Sequence, residues 1–343
     1  MCCLFQVCQR RKTGLEKITI GHGSGGRLTQ ELIGKVVKLF PPQLVASDME
    51  DCTFINDHMA MTIDSFTVTP RTFPGGDIGK LAVCGSANDL AVRGISPGNI
   101  AMSLVIEEGF DLVELEGYMM SAARVCSDLD LRLTAGDTKV VPRGALDGLF
   151  ITTCSVGRKM TAYPLGMNNL KPGDKLMVTT SIGQHGATIG AERFNLSSEN
   201  LRSDCASLWS CIRDIIDVDG LRSLRDCTRG GLGTALCEWA EGTGYGMEID
   251  ESMIPISEEV SAICDILGFD PLYLACEGCA LIGASPSATD RIMASLGDHP
   301  LSSGARVIGE VVEDHGRIVG MRTLIGGMRI VDMPVGEMLP RIC

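Results

Sequence analysis

Apolar and polar positions regroup along this chain in a pattern that predicts alternating strands and helices. Met59–Asp64 is a short β-prone run closing on an acid, and Asn99–Ile106 and Leu149–Val156 read as strands rich in branched residues. Leu131–Ala135 reads as a further strand, ending at Gly136–Asp137. Between them, Ile78–Val92 carries apolar residues at helical spacing, and Asp111–Leu129 is a helix whose D-x-x-E start resembles a capping box. Tyr163–Asp174 gathers Pro164, Gly166, Asn168, Asn169, Pro172 and Gly173, the best domain boundary in the chain. Beyond it the pattern predicts strand Lys175–Thr179, a helix from about Gly186, helices near Cys205–Asp217, Gly231–Glu241 and Ser257–Leu267, and strands near Ala280–Ala284 and Val307–Val312. From Arg329 no period remains and the chain reads as a tail. The expected organisation is an unstructured extension over 1–16, an α/β domain over 17–162, a second over 163–330 and a mobile tail over 331–343. The fold class is α/β (α+β).

Composition narrows the chemistry. Hydrophobic residues make up 45% of the 343 but aromatics only 4%, so two cores must be built mainly from Ala, Val, Ile, Leu and Met. A net charge of −13 disfavours nucleic acid or an anionic membrane as partner and suits carboxylates that hold a metal ion. No apolar run approaches the roughly 18 residues of a spanning helix, and the chain reads as cytoplasmic. Most of the 15 cysteines sit in apolar periodic stretches, as buried small hydrophobes do. The one C-x-x-C, Cys276–Cys279, lacks a second pair at zinc spacing.

Several short segments are candidates for chemistry. Gly21-His-Gly-Ser-Gly-Gly-Arg27 leads into a helix at about Leu28–Leu39; its glycines allow close approach of a phosphate, or form a plain flexible loop. Phe73-Pro-Gly-Gly-Asp-Ile-Gly-Lys80 places Gly75 and Gly76 before a helix that Asp77 can also cap. Asp51, Asp64, Asp89 and Asp137 fall at strand ends or beside turns, with Asn88 and Lys139 next to two of them. Singly each suits a cap or a solvated turn; jointly they supply the hard oxygen ligands that Mg²⁺ prefers. Arg225-Asp-Cys-Thr-Arg-Gly-Gly-Leu-Gly233 combines Asp226 and Arg229 with three glycines ahead of a helix, which suits oxyanion binding. Glu277, between apolar segments, is either a structural partner or a base. The chain closes on Pro340-Arg-Ile-Cys343, and a terminal thiol is a potential nucleophile.

These segments resemble the HypE family of hydrogenase maturation proteins from about Lys17 to Cys343. His22-Gly-Ser-Gly-Gly, Phe73-Pro-Gly-Gly-Asp-Ile-Gly-Lys-Leu-Ala, Gly136-Asp-Thr-Lys-Val-Val, Arg229-Gly-Gly and above all Pro340-Arg-Ile-Cys343 carry the resemblance. It implies a two-domain aminoimidazole ribonucleotide synthetase-like fold with a flexible C-terminal tail, and a homodimer with nucleotide near the subunit interface. It further implies that a carbamoyltransferase, HypF, loads Cys343, that ATP with Mg²⁺ drives dehydration to a thiocyanate, and that cyanide passes to iron on a HypC–HypD scaffold. Cys343, Lys139 and Glu277 are the implied catalytic residues. Asp51, Asp64, Asp89 and Asp137 are the implied metal ligands, with Gly75, Gly76, Lys80, Asn88, Thr138, Asp226 and Arg229 completing the nucleotide site. Cys276 and Cys279 stand where the family commonly has Asn and Lys, and Cys227 where it has Pro. A small-molecule kinase or synthetase of the same fold, or a non-catalytic metal carrier using Cys343 as ligand, are the competing readings.

Overall fold

The computed structural model describes residues 17–46, 50–161, 163, 165–196, 198–314 and 316–335. After α1 (Arg27–Val37), the first half forms β1 (Thr53–Asn56), β2 (Met59–Phe66), a small hairpin of β3 (Thr72–Phe73) and β4 (Gly76–Asp77), α2 (Ile78–Ala91), β5 (Ile95–Glu107), α3 (Leu112–Asp128), β6 (Arg132–Val141) and β7 (Leu149–Lys159). Five of these strands make one sheet in the order β1-β2-β7-β5-β6. Only β5 and β6 run parallel, as the α3 crossover requires. Asp77 caps α2 by accepting from the Lys80 N–H at 2.9 Å. Twelve of the fourteen α2 residues are buried, because this helix lies under the sheet on one side and against the second half on the other.

The second half contains β8 (Lys175–Val178), α4 (Gln184–Arg193), α5 (Trp209–Arg213), β9 (Leu221–Asp226), α6 (Gly231–Thr243), β10 (Gly246–Asp250), α7 (Glu258–Leu267), β11 (Ala280–Ala284), α8 (Pro286–Asp298), β12 (Arg306–Val312), β13 (Val319–Arg322) and β14 (Met328–Val331). Its sheet runs β14-β13-β10-β12-β8-β11-β9. Strand β11 lies inside the sheet, between β8 and β9, and every residue of it is buried, so its sequence reads as an unbroken apolar run. One face packs on α6 and the other on α5 and α8. A third core joins the halves: Ile78, Leu81 and Cys84 of α2 share a cluster with Ala187 and Ile189 of α4 and Val260 and Ile263 of α7.

Four expectations change. Strand β6 does not stop at Gly136–Asp137 but pairs with β5 through Val141, which puts Asp137 in mid-strand. The helix expected over Cys205–Asp217 is reduced to Trp209–Arg213. Upstream of it the backbone is pulled outward: Ser203 N–H donates to Pro74 O, and Ala206 N–H to Glu277 O. The apparent tail from Arg329 includes β14, paired with β13, and Val331 and Met333 are buried. Strands β9, β10 and β13 and helix α8 went unread, because charged residues such as Arg222 and Arg225 break their apolar patterns.

Candidate functional site

Where α2 meets the end of β9, four aspartates converge. One carboxylate oxygen from each of Asp51, Asp89 and Asp226 lies within 4.8 Å of the others, the group of this kind among the described residues. Asp64 of β2 hydrogen bonds to Asp89, and Thr62, two residues away on the same strand face, donates to Asp89 Oδ2 at 2.6 Å. Desolvation and the neighbouring acids push Asp89 well up, and the same causes bring Asp226 up to about 8. Desolvation also raises Asp64, against the pull of the Arg229 guanidinium. Arg225 braces the centre from β9: its two terminal nitrogens lie 2.7 Å from Asp51 Oδ1 and 2.7 Å from Glu238 Oε2 of α6. Three convergent carboxylates that repel one another are a donor set of hard oxygens, and they fit a Mg²⁺ ion carrying phosphate and water ligands.

Glu277 sits beside this centre, 3% exposed, in the loop entering β11. Its position depends on Asn88, the residue before Asp89. The Asn88 amide donates to Glu277 O at 3.2 Å and to Ala206 O at 3.0 Å, and its Oδ1 accepts from Leu208 N–H at 2.8 Å. Asn88 therefore clamps two loops of the second half onto α2, with its amide engaged inside the chain. Asp204 completes the arrangement, each of its oxygens accepting one backbone N–H, from Glu277 and from Gly278, at 3.1 Å. A side chain at Gly278 would collide with the Asp204 carbonyl oxygen, so the loop approaches as closely as backbone allows. Asp204 escaped the sequence reading because nothing local marks it: it stands just before the stretch expected as the Cys205–Asp217 helix, and its partners are more than seventy residues away.

Other expected residues take less direct positions. Gly75 packs on Ser203, where a Cβ would come within 2.6 Å of the carbonyl oxygen, and Lys80 Nζ donates to Gly75 O at 2.8 Å. Gly76 lies in the same hairpin, so Phe73–Asp77 joins the two halves of the molecule. Arg229 stands at the N-terminal approach to α6 and acts electrostatically on Asp64 and Asp226. Asp137, Thr138 and Lys139 are exposed on edge strand β6. Asp137 pairs with Ser103 and Lys139 with Val105, on the sheet face opposite the one that α2 covers. Within one chain they do not meet the aspartate centre. Cys227, Cys276 and Cys279 come together fully buried behind the Glu277 loop, and hydrogen bonding to Cys279 together with desolvation pushes Cys227 and Cys276 up. The three cysteine departures from the family pattern thus fall at one place. Cys343 and the 1–16 extension lie outside the described residues. No helix of the described residues is long and apolar enough to cross a membrane.

Two family models match this chain: the N-terminal domain of AIR synthase related proteins over residues 49–159, and the C-terminal domain of the same proteins over residues 171–321. Fold and aspartate centre together therefore define an AIR synthase-related protein of two domains. The chain is 42% identical to the carbamoyl dehydratase HypE of Rhodobacter capsulatus over 339 residues, covering 96% of this chain and 98% of the relative. It superposes on the HypE of a HypE–HypF complex with a TM-score of 0.84 at 34% identity, covering 90% of this chain and 100% of the other. A HypE structure in complex with ATP matches with a TM-score of 0.81 at 35% identity, covering 94% of this chain and 98% of that one. This chain belongs to the HypE family of carbamoyl dehydratases.

Proposed function

We propose that this protein carries a carbamoyl group on the sulfur of Cys343 and dehydrates it with ATP to a thiocyanate, the cyanide source for the iron of a [NiFe] hydrogenase. The observation that carries the reading is the juxtaposition of an aspartate centre suited to metal and triphosphate with a buried glutamate clamped beside it by Asn88. An amide oxygen is a poor leaving group. Transfer of the γ-phosphoryl group to that oxygen makes it phosphate; loss of two N–H protons and of phosphate then leaves S–C≡N, with ADP as the other product. Phosphoryl transfer is mainly positioning and charge neutralisation. Asp51, Asp64, Asp89 and Asp226 would hold Mg²⁺, which supplies neutralisation of the triphosphate charge. Arg229 faces the same region as a fixed cation. Glu277 is our candidate for taking up a nitrogen proton, with Lys139 as its counterpart. Burial of the Glu277 loop excludes water that would hydrolyse the activated amide.

Lys139 and Asp137 lie on the far face of the first sheet, and a second copy of the chain is our source for them at this site. That face is apolar and uncovered: Ile63 is 66% exposed, and Met59, Met61 and Phe150 are 38% exposed each. The first partner we assign is a carbamoyltransferase of the HypF kind, and the acceptor of cyanide a HypC–HypD scaffold. We assign the reaction to the cytoplasm, the compartment that supplies both ATP and a reduced thiol.

Intact-protein mass spectrometry tests the reading. After incubation with the carbamoyltransferase, carbamoyl phosphate and ATP, Cys343 should carry a carbamoyl group that loses one water only when ATP is present. Retention of that adduct in a Cys343→Ala protein would refute the assignment.

A further inference from the structure

The glycine-rich segment before α1 has a partner inside the chain. The Arg27 N–H, first of the helix, donates to Pro334 O at 3.0 Å. A side chain on Gly26 would collide with that same carbonyl oxygen. Gly25, at φ +86°, faces the other way: a Cβ there would come within 2.9 Å of Arg229 Cβ and 3.0 Å of Arg229 O. Its own N–H is taken by Thr29 Oγ1 at 3.0 Å. The two glycines thus form a thin wall, with residue 334 on one side and Arg229, which acts on Asp64 and Asp226, on the other.

The residues just before Pro334 are fastened as well. The Tyr273 hydroxyl donates to Asp332 O at 2.9 Å, the Cys237 thiol donates to Val331 O at 3.3 Å, and Met333 is buried. Three of four consecutive carbonyls are held. Among the described residues Pro334 is therefore the last one fastened, and the nine residues from there to Cys343 can span at most ~30 Å.

We propose that Gly25 and Gly26 are positioning residues: they seat the root of the C-terminal segment against Arg229 and so direct Cys343 to the aspartate centre. The idea rests on the carrier reading of Cys343. It gives the Gly21–Arg27 motif a role other than phosphate binding, because a peptide carbonyl occupies the first N–H of α1. Pinning the root limits the volume that the thiol explores and raises its effective concentration at the centre. A displaced root lowers the rate of dehydration while leaving the partner's access to Cys343 and the affinity for ATP unchanged.

The test compares Gly26→Ala and Tyr273→Phe with the unmodified protein, in the full chain. Each is loaded by the carbamoyltransferase, and water loss is then followed in a single turnover across a range of ATP concentrations. Gly26→Ala should load stoichiometrically, keep its KM for ATP and dehydrate at least ~10-fold more slowly. Tyr273→Phe removes one hydroxyl without changing packing and should slow dehydration about threefold with the same unchanged KM; it decides alone if Gly26→Ala does not fold. Wild-type rates in both variants overturn the proposal. A rise in KM that matches the loss of rate also overturns it, since the glycines would then serve the nucleotide. Failure of the unmodified Cys343 to load is a different result and removes the carrier reading itself.

Discussion

Two backbone N–H groups converge on one carboxylate where Asp204 meets the loop that carries Glu277. Desolvation pushes Asp204 up to about 7, with the nearby Cys279 adding to the rise and the two N–H bonds opposing it. The sign of the consequence follows from the geometry. Above about 7 both oxygens accept; below it one oxygen carries a proton that faces an N–H, and the loop loses a bond. Single-turnover dehydration should therefore increase as pH rises through about 7. Asp204→Asn should flatten that limb and lower the plateau about tenfold, because only one acceptor remains; an unaltered pH profile would remove Asp204 from the site. Gly278→Ala should cause a similar loss of rate through the collision with the Asp204 carbonyl, read in the same assay. At this scale the sequence was partly legible. Acids next to turns betray metal chemistry, so Asp51, Asp64 and Asp89 were recognisable and do converge, whereas Asp137 stays on β6 and its place is taken by Asp226, which the sequence offered only for oxyanion binding. Asp204 and the clamping use of Asn88 were not, since both depend on contacts about 70 to 190 positions away in the chain.

Elements carry the next level of organisation, and the junction of β9 with α6 shows what patterning can miss. Leu221–Asp226 alternates Leu, Ser and Arg, which looks solvent-facing, yet its arginines reach acids across element boundaries: Arg222 approaches Asp174 and Arg225 bridges Asp51 and Glu238. Arg225→Met keeps the stem and removes the charge. Two carboxylates would then face each other and Asp226 without compensation, a loss of about 3 kcal/mol, at the low end for a broken buried pair because the arginine is 27% exposed. Urea unfolding should show it as a lower midpoint at constant slope; an unchanged midpoint would mean that solvent replaces the pair. Elements buried by apolar packing alone, such as α7 against one core and β11 between two, were legible because burial sets their pattern. Strand β6 and the Cys205–Asp217 stretch were not, since a sheet edge and a pair of interdomain hydrogen bonds decide them.

At the scale of the whole molecule, the main constraint on the proposed site is that its candidate residues fall on two faces of one sheet. Strands β2 and β6 lie three strand spacings apart, roughly 14 Å, and Asp64 points toward α2 while Asp137 and Lys139 point away from it. No bending of a five-stranded sheet brings the two faces together, so on our reading the β6 residues that serve a centre come from a second copy of the chain. A site shared in this way makes a quantitative prediction. Lys139→Ala and Glu277→Ala proteins should each fail to dehydrate carbamoyl-Cys343. Mixed equally and allowed to exchange subunits, they form heterodimers as half of all dimers, and each heterodimer regains one intact site of two. About one quarter of wild-type activity should return, in proportion to the heterodimer fraction seen by native mass spectrometry. A site built within one chain would leave every mixture inactive. Ile63→Glu, which charges the centre of the apolar face, should abolish the recovery by yielding monomers, and light scattering on the same samples would show whether association or chemistry was lost.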